Sequence, residues 1–377
     1  MRRFVERAAP ADVPSSIPDL RVARFDDYAG IAALAKAQSW QILTPEDWRA
    51  LWLENPLWPK IGKDWPIGWV LDAGDEIVGS ILNVPYGYVF RGRELVCGTT
   101  RGWSSVPAYR GYALGLIDEY CNQPTADLLV STTANEMAAP VVERILTRVP
   151  LGAWDVASFW VTDHVDFARR KLQLRGVPGA GALAYPAGGA MWLRDLLRSR
   201  ALPPAPRDID VAIVDGFDER FDVFWRELVR RNPDVLLADR SLAALRWHYR
   251  IALLRSQLSI VTASRRGTLL AYCVVNRKVG GPRAQIADYQ TIESGVDLLP
   301  GLLRAALRSQ ACQGVYSLQL FGLWVPKMRA FDTYAPHRER LSNWRFFYRA
   351  ADRALGDQLR EPACWDPSAY DGDASFV

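Results

Sequence analysis

Hydrophobic and polar positions change their period along the chain, and the changes predict alternating strands and helices. Residues 68–90 contain two apolar runs on either side of Asp72-Ala73-Gly74-Asp75, which is the pattern of a β-hairpin. A third strand is expected after the turn at Arg91-Gly92. Thr44, followed by Pro45 and two acidic residues, predicts the start of a helix, because threonine caps helices and proline suits their first turn.

Beyond the hairpin, the pattern predicts a strand end, a glycine-containing loop and a helix over 106–121. It then predicts a strand over 128–135, a helix over 136–146 and a strand over 159–167. The glycine-rich stretch 176–189 is expected to be a flexible connector. This order indicates an α+β fold of αβα layers, in which helices flank a mixed, mostly antiparallel sheet.

The second half of the chain repeats this order at an offset of about 190 residues. A second predicted hairpin turns at Arg265-Arg266-Gly267, and residues 241–250 take the place of the helix that begins at Thr44. The proline-rich segment 202–206 is typical of a stiff linker. We therefore expect two tandem domains, 1–202 and 203–377.

Composition narrows the class of protein. The chain has 377 residues, enough for two domains, and its 49% hydrophobic and 23% charged content is that of a globular protein. No apolar run approaches the roughly 20 residues that span a bilayer, and residues 1–20 read as a proline-broken leader without a signal-peptide core. A cytoplasmic location with no membrane partner is expected.

Charge and reactive side chains exclude several chemistries. The net charge is only +4, but almost all of the positively charged side chains are arginine. This preference reflects either genome composition or an anionic ligand, which arginine binds with two parallel hydrogen bonds. Fifteen tryptophans in the chain indicate packed, ring-lined loops rather than a nucleic-acid face. The five cysteines form no C-x-x-C pair and the three histidines are scattered, so no metal site, disulfide framework or Ser-His-Asp triad is expected.

The stretch Val106-Pro107-Ala108-Tyr109-Arg110-Gly111-Tyr112-Ala113-Leu114-Gly115 is the most informative segment. It follows three predicted strands and opens a helix, so its backbone N–H groups and the helix dipole favour an anion such as a pyrophosphate. Gly111 lets a ligand approach the backbone, and Gly115 lets the helix pack close to the sheet.

This segment resembles the pyrophosphate loop of the GNAT superfamily of acyl-CoA-dependent N-acyltransferases, which reads Arg/Gln-x-x-Gly-x-Gly/Ala. The resemblance implies two tandem GNAT-like domains and acetyl-CoA or another acyl-CoA as the donor. The implied cofactor-binding residues are Val106, Arg110, Gly111, Tyr112, Ala113, Leu114, Gly115 and Asn135, the last on the strand that splays away to admit the pantetheine arm. Ala113 departs from the family pattern, in which a glycine stands at its position.

Catalysis in this family is direct attack of an amine on the thioester, which needs a base and an acid. The tyrosine that commonly serves as the acid is replaced here by Val142, so Tyr109 or a water is the candidate acid. Candidate bases are Glu119, Glu136, Asp163 and His164, of which His164 is the most suggestive because its ordinary pKa suits the task. The second half reads Ile292-Glu293-Ser294-Gly295-Val296-Asp297 where the loop should be, and its acids would repel a pyrophosphate.

Three classes of function remain open at this point. The first is acyl transfer, for which the resemblance implies an acetyl group, to a primary amine of a small molecule or amino sugar. The second is a transferase of the same fold that uses aminoacyl-tRNA or an acyl carrier protein. The third is a non-catalytic acyl-CoA-binding module, which is favoured by the two departures from the family pattern at Ala113 and Val142. The acceptor, the acyl length and the oligomeric state have no signature in the sequence.

Overall fold

A computed structural model describes residues 16–152, 154–198, 201–277, 282–322, 325–341 and 344–375. Most of the expected leader, residues 1–15, lies outside the described residues. The helices are α1 (Tyr28–Ala37), α2 (Pro45–Leu53), α3 (Trp58–Ile61), α4 (Ala113–Asn122), α5 (Ala139–Val142), α6 (His164–Leu174), α7 (Ala180–Arg198), α8 (Arg220–Arg231), α9 (Leu242–His248), α10 (Arg250–Leu254), α11 (Leu299–Cys312), α12 (Val325–Asp332) and α13 (Arg353–Gln358).

The strands form two sheets. They are β1 (Asp19–Val22), β2 (Gly68–Asp72), β3 (Ile77–Phe90), β4 (Arg93–Ser105), β5 (Leu128–Ala134), β6 (Thr147–Arg148), β7 (Val156–Val161), β8 (Asp210–Val214), β9 (Leu237–Ala238), β10 (Leu258–Arg265), β11 (Thr268–Arg277), β12 (Arg283–Thr291), β13 (Ser317–Leu320), β14 (His337–Arg340) and β15 (Arg345–Ala350). The first sheet has the order β1-β2-β3-β4-β5-β15-β6, with β9 on β3, and the second has the order β14-β7-β13-β12-β11-β10-β8.

The two sheets confirm the predicted repeat. In the first, β2 pairs antiparallel with β3, and β4 pairs parallel with β5 after crossing through α4. In the second, β10 pairs antiparallel with β11, and β12 pairs parallel with β13 after crossing through α11. The turn between β3 and β4, Arg91-Gly92, and the turn between β10 and β11, Arg266-Gly267, each use a residue pair with positive φ, which suits the right-handed twist of paired strands.

Helix starts also repeat between the halves. Thr44 Oγ1 accepts the N–H of Asp47 at 3.1 Å at the start of α2, and Ser241 Oγ accepts the N–H of Ala244 at 3.3 Å at the start of α9. Each side chain satisfies one of the N–H groups that a helix leaves free in its first turn. The predicted linker 202–206 lies between α7 and β8.

The two halves exchange strands. β7 comes from the first half of the sequence but lies in the second sheet between β13 and β14. β15 comes from the second half but lies in the first sheet beside β5 and β6. Strand pairing therefore does not follow the order of the two halves along the chain. Hydrogen-bond partners separated by more than a hundred residues in sequence decide where these two strands lie.

Three of the predicted elements were wrong in part. The strand expected over 159–167 ends at Val161, because Asp163 caps a helix there through the N–H of Asp166. The helix expected over 136–146 shrinks to the four residues of α5. The connector expected over 176–189 is helical from Ala180 onward, because a stripe of small residues lets α7 pack closely on α6. A Cβ on Gly188 would lie 2.9 Å from the carbonyl oxygen of His164.

The chain divides into two compact units. One holds the described residues up to Tyr86 together with Val96–Val130, and the other holds Gly87–Leu95 and the described residues from Ser131 onward. In the second unit, apolar side chains of β10 to β13 pack against α11 to form a core. No helix of the described residues has both the length and the apolar character needed to cross a bilayer.

A buried arginine fixes the last described segment of the second unit, the C-terminal segment (365–375). Arg240 is 1% exposed, and its guanidinium donates to Asp288 at 2.9 Å and to Asp371 at 3.2 Å. Ser368 adds a hydrogen bond to Asp288 at 2.7 Å. Burial would raise the pKa of Asp288, but Arg240 outweighs burial and holds the pKa below its usual value. Both carboxylates therefore depend on a single cation for compensation.

We predict that Arg240→Met destabilises the protein by about 3–5 kcal/mol, because it leaves buried carboxylates without their counter-ion. Urea unfolding followed by tryptophan fluorescence measures the loss. Arg220→Met is the control, since Arg220 pairs with Asp218 at a site where both side chains are 38% exposed. Its expected cost is about 0–1 kcal/mol. Equal costs for the two variants would contradict the role given to Arg240.

Candidate functional site

The candidate site is the turn between β4 and α4, in the first unit. Val106 begins a 3₁₀ turn over Pro107–Tyr109, and α4 follows at Ala113. Within this turn, successive N–H groups bond three residues back, for example Tyr109 to Val106 at 2.9 Å and Tyr112 to Tyr109 at 3.0 Å. The bonding of a 3₁₀ helix is tighter than that of an α-helix, so the turn enters α4 in a compact form.

This turn leaves some of its donors free. Among the described residues, the backbone N–H groups of Ala108, Gly111 and Leu114 have no acceptor. Arg110, which directly precedes Gly111 in the turn, is exposed. Free N–H groups at a helix start, together with the helix dipole, attract anions. The geometry is thus suited to a phosphate-bearing ligand, as the sequence predicts.

The two glycines of the turn have different surroundings. A Cβ added to Gly111 would meet no atom within 4 Å, so the backbone there is open to an approaching group. A Cβ added to Gly115 would lie 2.7 Å from Cδ1 of Leu20 on β1, so this glycine allows α4 to pack on the sheet as expected. Ala113, which departs from the family pattern, is the first residue of α4 and its carbonyl accepts the Trp103 indole N–H at 3.1 Å.

The corresponding turn of the second half is closed by its own side chains. Glu293 Oε1 accepts the N–H of Gly295 at 2.9 Å, and Asp297 Oδ1 accepts the N–H of Leu299 at 3.1 Å. The bond from Gly295 and the nearby Arg265 hold the pKa of Glu293 below its ordinary value, so the carboxylate stays charged. Acidic side chains therefore occupy two of the N–H groups at this turn and place negative charge where a phosphate would lie.

The strands that flank the candidate turn pair only briefly. β4 and β5 are in parallel register at Cys97 with Leu128, Gly98 with Leu129 and Thr99 with Val130. β4 continues to Ser105, beyond these three pairs. Cys97 is fully buried, and its Sγ lies 3.5 Å from the carbonyl oxygen of Gly98. Tyr109 is 5% exposed and its ring lies 6.3 Å from that of Tyr112.

Other predicted site residues lie in the second unit. The side-chain oxygen of Asn135 accepts the N–H groups of Met137 and Ala138, at 3.1 and 2.8 Å, so it shapes the turn after β5. Glu136 is exposed in that turn. Val142, where the family commonly has a tyrosine, is 2% exposed and ends α5.

His164 is the first residue of α6, not part of a strand, and it belongs to a small polar cluster. Its Nε2 lies 3.0 Å from Oδ2 of Asp195, and Nε2 of His337 lies 2.7 Å from the same oxygen. Arg194 lies against His337 at 2.8 Å, and Phe159 stacks on the ring of His337. Two of the three histidines of the chain thus converge on one carboxylate, which spacing in the sequence does not reveal.

A carboxylate from the C-terminal segment, that of Asp373, also lies on β5. Asp373 Oδ1 accepts hydrogen bonds from the hydroxyls of Thr132 at 2.9 Å and Thr133 at 3.1 Å. These threonines lie at the end of β5, just before Ala134 and the turn residue Asn135. Only the path of the C-terminal segment brings Asp373 to β5, since about 240 residues separate the partners. In the sequence, the two adjacent threonines at the end of a predicted strand are the one local feature that indicates a polar contact there.

No protein-family model matches the sequence, and no curated protein matches it. Solved structures match it in fold. Saccharomyces cerevisiae N-myristoyltransferase with bound myristoyl-CoA aligns with a TM-score of 0.53 and 11% identity, over 90% of this chain and 86% of its own. A probable N-acyltransferase of Enterococcus faecalis aligns with a TM-score of 0.51 and 10% identity, over 89% and 73%. A tandem GNAT protein from the clavulanic acid biosynthesis pathway aligns with a TM-score of 0.46 and 14% identity, over 89% and 98%.

The N-myristoyltransferase and the probable N-acyltransferase, whose TM-scores exceed 0.5, confirm the fold that the motif at 106–115 implied. The chain has a two-domain α+β GNAT-like fold, with two mixed, mostly antiparallel sheets flanked by helices. At identities this low the likeness concerns the fold, and function has to be argued from the site itself.

We predict that His337 makes stability depend on pH. Burial lowers the pKa of His337 below its ordinary value of 6.5, and the positive charges of Arg194 and His164 lower it further. Asp195 raises this pKa, but not enough to offset burial. The unfolded chain therefore takes up a proton more readily than the folded one, and the free energy of unfolding falls as the pH drops below about 6.5. His337→Gln should flatten this fall. Urea unfolding between about pH 7 and pH 5 tests it, and an equally steep fall in the variant would contradict it.

Proposed function

We propose that this protein is an acyltransferase that moves an acyl group from acyl-CoA to the primary amine of a small molecule, an amino sugar being one such acceptor. The observation that carries the proposal is the turn over 106–115. It presents three unpaired N–H groups and an exposed arginine at the start of a helix that follows β4. In a GNAT-like fold this place corresponds to the pyrophosphate loop of the resemblance.

The contrast between the two halves supports a single donor site. Both halves have the same order of strand, turn and helix. Among the described residues, only the second turn has carboxylates, those of Glu293 and Asp297, that accept its own N–H groups. A pyrophosphate would meet repulsion from these acids. It would also have to displace their carboxylates from the N–H groups of Gly295 and Leu299. We therefore place acyl-CoA on the first half alone and give the second half a supporting role.

Direct transfer is the mechanism that the side chains favour. Cys97 is fully buried on β4, so it offers no accessible thiolate to accept an acyl group. Holding an amine and a thioester in reactive alignment can contribute about 7–11 kcal/mol to the lowering of the barrier. We propose Tyr109 as the acid for the departing thiolate and Glu136 or His164 as the base.

The donor is proposed to be acetyl-CoA or another acyl-CoA. The N-myristoyltransferase that matches in fold was solved with myristoyl-CoA, which supports a thioester of coenzyme A in this architecture. We propose a cytoplasmic location, where such thioesters are available. An acyl carrier protein or aminoacyl-tRNA as donor is the alternative, and a panel of donors distinguishes the two through release of free coenzyme A thiol.

We predict that one CoA binds per chain and that the turn over 106–115 holds it. Arg110→Ala should weaken binding about tenfold or more, since a hydrogen bond to a charged group contributes about 1.5–3 kcal/mol. Gly111→Trp should abolish binding by covering the open backbone, and the space around Gly111 lets the variant fold. Isothermal titration measures both.

The matched control is Gly295→Trp in the second half, which should bind CoA like the wild type. Two CoA molecules per chain, or unchanged binding in Gly111→Trp, would contradict the assignment. Binding of CoA without turnover of any donor and acceptor pair would favour the non-catalytic binding module.

We predict sequential kinetics with no acyl-enzyme intermediate. Cys97→Ser should retain most of the activity, because the buried thiol takes no part in the transfer. Initial rates measured with varied donor and acceptor should give intersecting rather than parallel reciprocal plots. Parallel plots, or an acyl group found on Cys97 by mass spectrometry, would replace direct transfer by a covalent mechanism.

A further inference from the structure

Helix α7 (Ala180–Arg198) exposes a broad apolar surface. Its buried side is a narrow stripe of Ala180, Ala184, Gly188 and Asp195, and most of the remaining positions are exposed. From Gly176 to Leu193 the sequence contains no charged residue. The large exposed side chains, here called the α7 apolar face, are Leu183, Tyr185, Trp192, Leu193, Leu196 and Leu197, between 47% and 78% exposed. Contiguous apolar patches of this kind mark interaction surfaces.

Cations border the α7 apolar face at both ends. Arg175 closes α6 just before α7, and Arg194 and Arg198 lie in the last turns of α7. On α6, Arg170 and Lys171 add to the same hairpin of helices. Residues 163–198 carry six lysines and arginines against three aspartates, and one of these, Asp195, is buried. The face is therefore apolar along its centre and positive at its borders.

This distribution of charge selects among possible occupants. In a two-fold pairing of two copies, the same positive borders would meet each other and repel. Arg170 pairs with Asp166 and Arg194 contacts Asp195 and His337, which leaves Arg175 and Arg198 as the exposed cations at the two ends of the face. An anionic bilayer surface presents phosphates to these end cations and acyl chains to the apolar centre. Trp192 and Tyr185 are the side chain types that settle at the level of lipid headgroups. Arg194 and Arg198 within the helix suit a helix that lies in the interface rather than one that crosses it.

We propose that α7 docks this protein on the surface of an anionic lipid bilayer, with its axis in the membrane plane. This departs from the expectation of no membrane partner that composition supported, because composition does not show that a single helix leaves its apolar side uncovered. The proposal is independent of the acyl-transfer proposal, since none of the residues of the α7 apolar face belongs to the turn over 106–115.

Flotation of the full chain with vesicles tests the proposal. The protein should float with phosphatidylcholine vesicles that contain about 30 mol% phosphatidylserine, and much less with phosphatidylcholine alone or at high salt. Leu193→Glu with Leu197→Glu should reduce the floated fraction about tenfold, since a charge on the apolar face opposes insertion. Both positions are exposed, so thermal unfolding and CoA binding should not change.

Leu254→Glu is the matched control, because Leu254 is 69% exposed on α10 and lies outside the α7 apolar face. It should float like the wild type. Three results would overturn the proposal: no flotation of the wild type, equal loss of flotation in the Leu254 variant, or light scattering that shows a dimer which the Leu193 and Leu197 changes convert to a monomer. The last result would assign the face to a second copy of the chain.

Discussion

The second unit depends on one guanidinium that is shielded from water. Arg240 bonds to Asp288 on β12 and to Asp371 in the C-terminal segment, and the ring of Tyr370 lies 4.8 Å from it. Tyr272 also donates to Asp288, at 2.8 Å. A buried charge is tolerated only when its partners satisfy it fully, so these contacts specify one path for the chain from residue 365 to 375. That path in turn delivers Asp373 to β5.

The two halves show how one architecture can keep or lose a ligand site through local chemistry. The strand, the turn and the helix are the same in both, as are the parallel pairings on either side. What differs is the side chains at the turn. Glycine and arginine leave the N–H groups of the first turn open, while glutamate and aspartate bond to those of the second. A carboxylate of the same chain is held next to these N–H groups at a high effective concentration. It therefore competes with a phosphate ligand that has to bind from solution.

Strand exchange gives a reason for the tandem arrangement. β7 pairs with β13 and β14, which the second half of the sequence supplies, and β15 joins the sheet that the first half begins. A strand without its partners exposes a row of unsatisfied N–H and carbonyl groups. Each half therefore completes a sheet that it does not begin, and we expect neither half to be an independent module.

The sequence by itself determined the local elements and the repeat. Hairpin turns at Arg91-Gly92 and Arg266-Gly267, the caps Thr44 and Ser241, and the open turn at Gly111 all follow from interactions between residues close in sequence. The GNAT-like fold could be predicted from the sequence for the same reason, because the motif that indicates it is a local succession of strand, turn and helix. The identities of the residues at 292–297 were likewise enough to mark the second turn as closed.

Tertiary structure alone decided the rest. The meeting of His164, Asp195 and His337, the placement of Asp373 on Thr132, and the exchange of β7 and β15 all join residues far apart in sequence. The stretch 176–189 was misjudged because its glycines weaken a helix in isolation, whereas contact of Gly188 with the backbone of α6 favours it in the folded chain. Which side of that helix remains exposed depends on its neighbours, and local pattern cannot supply them.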